Sequence, residues 1–141
     1  MCAPIGDGAA AALICSAKGL EYFPTEIQQS AIKIKASVLS GGKYRSPQEL
    51  GLSSVAAKKA YRQAELEPKD VDIVEIHDAT SFCEIYQLEM LGFCEIGSGG
   101  KFVEEGHTQL GGKLPVNLSG GLVSKGHPVG CLLYTSDAAD E

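Results

Sequence analysis

The chain has 141 residues, 44% of them hydrophobic and 21% charged. That predicts one ordinary globular domain, or part of a larger one, and excludes a disordered tail or a coiled coil. Twelve Lys and Arg against 18 Asp and Glu give a net charge of −6, and the longest basic cluster, Lys58-Lys59 with Arg62, is one helical turn, so no nucleic-acid partner is expected. No stretch approaches the roughly 20 apolar residues of a membrane span, so no membrane partner is expected either.

In chain order, Asp7 is a fair N-cap for a short alanine helix, and Leu13-Ile14-Cys15 reads as a buried strand. Lys18 to Ser30, with Pro24, reads as a connector. Ile32, Ile34, Ala36 and Val38 alternate, a strand pattern that Gly41-Gly42 ends. A helix is predicted from Ser53 or Ser54 to Leu66, with Ser54 as N-cap. Ala56, Ala60 and Ala64 recur every four residues there, opposite Lys58, Lys59 and Arg62. Residues 71–76 read as a strand leading straight into His77-Asp78. Ser81-Phe82-Cys83-Glu84 matches a capping box. Phe82, Ile85, Leu88 and Leu91 follow at helical spacing, and Gly92 fits a helix stop. Residues 97–113 read as a Gly-rich loop, residues 115–118 as a short strand, and Ser119-Gly120-Gly121 as a tight turn. Alternating strands and helices predict an α/β layered fold, with ligands at polar turns beyond strand ends.

Three histidines are candidates for chemistry. His77 follows an apolar strand and should project from the sheet edge. His127, between Gly126 and Pro128, sits in a rigid, narrow bend, good geometry for a general base. The competing reading is a loop histidine held by a backbone hydrogen bond. His107 lies in a polar Gly-rich loop and reads as structural. The cysteines are Cys2, Cys15, Cys83, Cys94 and Cys131. Their odd number and spacing suggest no disulfide framework, and the N-terminus has no leader-like apolar core, so a reduced, cytoplasmic compartment is expected. No Cys-x-x-Cys or His-x-x-x-His spacing exists, so no metal site is expected. Cys83 and Cys94 read as structural, and no cysteine has the local base or helix start that would make it a nucleophile. Asp70, Asp72 and Glu75 read as a solvated strand edge.

The run from Pro115 to Gly130, containing Asn117-Leu118-Ser119-Gly120-Gly121 and Lys125-Gly126-His127-Pro128, resembles the thiolase superfamily. The likeness is strongest to its sterol-carrier-protein-type branch, often labelled lipid-transfer proteins. Glu75-Ile76-His77-Asp78-Ala79-Thr80-Ser81-Phe82 resembles that branch's His-Asp-Cys-Phe-like motif, and residues 4–11 resemble the Asp-Gly-Ala segment near the end of the thiolase N-terminal half. The three occur in family order over roughly residues 2–130.

The resemblance implies a thiolase-like helix–sheet–helix layered fold, incomplete here. It implies Claisen-type acyl transfer on acyl-CoA or 3-oxoacyl-CoA through an acyl-cysteine, with a coenzyme A thioester as substrate and no cofactor. His127 would activate the nucleophilic cysteine and help bind the thioester oxyanion. His77 would complete that oxyanion hole. Ala79 and Ala3 would lie near the pantetheine arm, and Gly120 and Gly121 would give backbone access to the reacting centre. The family's nucleophilic cysteine belongs to the N-terminal half, before residue 1, and Cys2 is not at its position. The second family cysteine has no match. Residues 1–30 therefore read as the end of the N-terminal half plus a connector, residues 31–130 as a truncated C-terminal domain, and residues 131–141 as a non-native tail. The expected parent is a homodimer, and the chain alone is expected to be inactive and poorly soluble. A second implication is a non-acylating aldolase-type or lipid-transfer relative that binds acyl-CoA with a small OB-fold partner protein. A third reading is a purely structural or interaction module.

Overall fold

The computed structural model describes residues 1–42, 44–46 and 49–128. The expected foreign tail, with Cys131, lies outside the described residues. Six helices occur among those described: α1 (Ala17–Leu20), α2 (Thr25–Ser30), α3 (Leu52–Ala64), α4 (Ser81–Met90), α5 (Gly99–Glu104) and α6 (Gly121–Lys125). A single 3-10 turn, Pro68–Asp70, separates α3 from α4.

The core lies between α4, α5 and the extended segments near residues 74–76 and 114–116. Ile76, Leu88, Leu114 and Val116 are buried together, with Val71, Val74, Leu91, Phe93, Phe102 and Val103 packed around them. Leu88 is completely buried, and burying a leucine side chain stabilises by about 1.5–3 kcal/mol. This is the α4 periodicity at work, with one departure. Phe82 is 68% exposed and stacks on Tyr86, ring centroids 6.1 Å apart. Helix α3 packs on α4, where the Tyr61 hydroxyl donates to the Leu91 carbonyl at 3.0 Å. Burial raises the Tyr61 pKa.

Helix starts shift from their expected places for local reasons. Helix α4 is capped by Thr80, not Ser81: the Thr80 Oγ1 accepts from the Cys83 N–H at 3.2 Å. Helix α3 starts after Gly51, so Ser54 is a buried residue of its first turn rather than its cap. The expected loop 97–113 contains α5. Gly99 begins that helix, and its N–H donates to the Glu89 carboxylate at 2.9 Å, a partner on α4 that local patterning does not display. The expected tight turn at 119–121 is present, one to two residues earlier, where the Gly120 N–H donates to the Asn117 carbonyl at 2.8 Å, and it leads directly into α6 at Gly121.

Strand pairing is reduced to isolated bridges among the described residues: Val74 with Val116 in parallel, Cys2 with Thr80 antiparallel, and Ile5 with His127 in parallel. These set the segments side by side in the order 116, 74–80, 1–5, 127. The expected strands at 13–15 and 32–39 and the alanine helix after Asp7 are extended, unpaired chain. An alternating pattern needs a neighbouring chain to satisfy its N–H and C=O groups, and a short alanine run without a packing face does not hold a helix. Leu13, Ile14, Ile32 and Ile34 are exposed. With Leu20 and Phe23 they line an apolar hollow of about 840 Å³. The connector 18–30 holds α1, α2 and their turns, and Ser16 Oγ caps α1 by accepting from the Gly19 N–H at 3.0 Å. Among the described residues no helix is long and apolar enough to cross a membrane.

Candidate active site

The buried Ile76 anchors the end of the extended segment, and the next residue, His77, emerges exposed. Helix α6 delivers the second histidine. It ends at Gly126, whose φ of 97° and ψ of 162° lie in a region open almost only to glycine. That bend places His127 beside the first segment of the chain, where its N–H donates to the Pro4 carbonyl at 2.6 Å. A side chain on Gly126 would meet the Gly6 Cα at 3.4 Å, so two glycines mark the close approach.

The two imidazoles converge. Their ring centroids are 4.8 Å apart and their planes cross at 76°, edge to face. Nδ1 of His127 and Nδ2 of Asn117 are buried without a hydrogen-bond partner among the described residues. The backbone hydrogen bond expected of a structural loop histidine is present, but it is made by the main chain of His127. Its ring faces His77.

Ala3 and Ala79 also meet: the Ala3 N–H donates to the Ala79 carbonyl at 2.9 Å. Both are half-buried: Ala79 lies on the segment that carries His77, and Ala3 on the segment that pairs with His127. Gly120 is exposed, with φ 100°, and Gly121 is buried, with φ 59°. A Cβ on Gly121 would overlap the Asp78 carboxylate. His107 is not one of the pair: its ring lies against Phe102, centroids 4.7 Å apart, and its Nε2 is 3.2 Å from the Glu105 carboxylate.

Three groups had no role in the sequence reading. Asp78, only 3% exposed, accepts from the Leu122 N–H at 2.7 Å and the Val123 N–H at 3.4 Å. Asn117, at φ 50°, accepts from the Ile76 N–H at 2.8 Å. Glu75, expected to be solvated, is half-buried and faces the Ser119 N–H and hydroxyl at 3.4 and 3.5 Å. The available signal was polar residues at every third position or closer beside the histidine and glycine turns, which says nothing of partners forty residues away. Nearby, burial and then the Asp78 charge raise the Glu84 pKa. Burial and then the Glu89 charge raise that of Cys94. Cys83 is half-buried and accepts from the Thr80 hydroxyl at 3.1 Å. Among the described residues no cluster of three His, Cys, Asp or Glu could hold a metal ion.

The end of one extended segment and a glycine bend thus bring two histidines together, beside the parallel bridge of Val74 with Val116. A family model described as thiolase C-terminal domain-like matches residues 45–136. The chain belongs to that thiolase family. It is 40% identical over 130 residues to an acetyl-CoA acetyltransferase of Methanothermobacter thermautotrophicus, covering 92% of this chain and 34% of that protein. It is 38% identical over 137 residues to sterol carrier protein 2 of Bos taurus, covering 92% and 25%. It is 35% identical over 133 residues to the benzoylsuccinyl-CoA thiolase subunit BbsB of Thauera aromatica, covering 92% and 34%. Among solved structures, the Ltp2-ChsH2(DUF35) aldolase is similar with a TM-score of 0.56 and 30% identity, over 60% of this chain and 22% of that one. The chain thus spans about a third or less of the length of these relatives.

Proposed function

We propose that this chain supplies the histidine half of a thiolase-type acyltransferase acting on coenzyme A thioesters, and that it is inactive without a nucleophilic cysteine from outside its 141 residues. One observation carries the reading: His77 and His127, fifty positions apart in sequence, have ring centroids 4.8 Å apart. Two N–H donors each about 2.9 Å from one oxygen are compatible with that spacing.

In the thiolytic direction, His127 takes the proton of the cysteine thiol. The thiolate attacks the 3-oxo carbon of the substrate, and the bond between C2 and C3 breaks. The acyl group stays on sulfur while the electron pair moves onto the departing thioester as its enolate. His77 and His127 donate to that enolate oxygen, where charge develops and preorganised donors matter most. The enolate carbon then takes the proton that His127 received, and the thiol of coenzyme A attacks the acyl carbon, taking the acyl group and giving up its proton to the released cysteine sulfur. Ala3 and Ala79 lie along the pantetheine arm, and Gly120 and Gly121 bring backbone near the reacting centre. The three bridges are read as the sheet of a helix–sheet–helix layered fold, and the working form as a cytoplasmic homodimer.

The test is turnover of 3-oxoacyl-CoA by the complete polypeptide encoded by the gene. His127→Ala should lower kcat by about 10²–10⁴-fold. A change of less than about tenfold refutes the assignment. A second reading is an aldolase-type enzyme working without a covalent intermediate beside a small OB-fold partner, and the likeness to the Ltp2-ChsH2(DUF35) aldolase favours it. Incubation with isotope-labelled acyl-CoA separates the two, because a labelled acyl-cysteine excludes the second.

A further inference from the structure

The segment carrying His77 and the segment leading to His127 are joined at three alternate residues. Val74 pairs with Val116 as a parallel bridge, and the Asn117 N–H donates to the Val74 carbonyl at 2.9 Å. At Asn117 the backbone turns to positive φ and leaves the pairing. Its side chain continues the ladder, with Oδ1 accepting from the Ile76 N–H at 2.8 Å. Two residues further, the direction of the contact reverses. Asp78 now provides the acceptor, and its carboxylate takes the Leu122 and Val123 N–H groups at the start of α6. Gly121 has no room for a side chain because that carboxylate lies against it.

We propose that Asp78 is a positioning residue that sets the separation of the two imidazoles by holding the start of α6. Asp78 directly follows His77, so its side chain is referenced to the first ring. Helix α6 is five residues long, and its far end, where the Gly126 N–H donates to the Leu122 carbonyl at 2.9 Å, passes directly to His127. Leu122, whose N–H donates the shorter bond to Asp78, is itself 2% exposed, so the near end of α6 is fixed by both packing and charge. A buried carboxylate accepting backbone N–H groups is a strong, directional contact. Its loss leaves two helix-start donors without partners.

Asp78→Asn preserves the shape of the clamp and removes half its function. One amide oxygen can still accept from Leu122, but the other position becomes an NH2 group facing the Val123 N–H, donor against donor. The kinetic consequence rests on the function proposed above, whereas the geometric one does not. Two measurements on the complete polypeptide therefore separate them. The first is the proton NOE between the rings of His77 and His127 in histidine-labelled protein. It should be present in wild type and lost or at least threefold weaker in Asp78→Asn, while Ala57→Gly, a destabilising change on α3, keeps it. The second is steady-state turnover with 3-oxoacyl-CoA. Asp78→Asn should lower kcat at least tenfold with KM within about threefold, because the rings still exist but no longer share one oxygen. Asp78→Ser, which keeps a small acceptor without charge, takes the place of Asp78→Asn if the latter does not fold. An undiminished inter-ring NOE in the variant overturns the proposal, whether or not the wild type turns over. If the wild type shows no turnover while the variant loses the NOE, the proposed function fails and the clamp stands.

Discussion

Gly126→Ala tests how His127 is delivered. At φ 97° and ψ 162° an alanine would sit in a region costing about 1–3 kcal/mol for residues other than glycine. The neighbours add little: the new Cβ would meet the Gly6 Cα at 3.4 Å, the Pro4 oxygen at 3.6 Å and the Gly6 nitrogen at 3.7 Å, the range of ordinary contact. The backbone term therefore decides the outcome. Either the bend is kept and stability falls by about 1–3 kcal/mol, or it relaxes and the imidazole moves. A displacement of about 1 Å can cost on the order of a hundredfold in rate. Gly6→Ala is the matched control. It adds the same methyl to the other side of the same approach, 3.5 Å from the Gly126 Cα, at a residue without positive φ, and should change stability by less than about 0.5 kcal/mol. Urea unfolding and turnover of the complete polypeptide read both quantities. Equal stability and equal activity of the two variants would refute the claim that this bend places the ring.

Glu84 offers a pH test. Its folded pKa is raised above the ordinary 4.5, first by burial and then by the Asp78 charge, so the folded state binds a proton that the unfolded state has released. Stability must then fall as pH rises from about 4.5 through the raised folded value. Glu84→Gln should flatten that stretch of the stability curve and leave the protein more stable above it; an unchanged slope sinks the assignment. Cys94, whose thiol is pushed up by burial and by Glu89, should alkylate with iodoacetamide at neutral pH more slowly than the same peptide in urea. Equal rates would mean that the thiol is not shielded.

The helices that bury a face were legible. Leu88 and Leu91 announce α4 by their spacing, and the alanine ladder with Tyr61 announces α3. What failed was whatever depends on a partner in another element. Ile32 to Val38 alternate as a strand does, yet alternation specifies a face and not a neighbour. Gly99 starts α5 against Glu89, and Gly121 starts α6 against Asp78, so both helices looked like glycine loops. The site was half legible for the same reason. His77 and His127 stand out by their flanking residues and by the family resemblance. Asp78 and Asn117 sit in those same motifs, but their importance comes from hydrogen bonds to N–H groups that no local pattern displays.

The pairing of Ile5 with His127 closes a loop of almost the entire described chain. Bridging so distant a pair carries a large ordering cost, and contacts of this kind slow the search for the native state. The ring pair should accordingly be among the last features to assemble and the first to vanish in a partial opening that leaves the α4–α5 core intact. Hydrogen exchange at the His127 amide would then run ahead of exchange at Leu88.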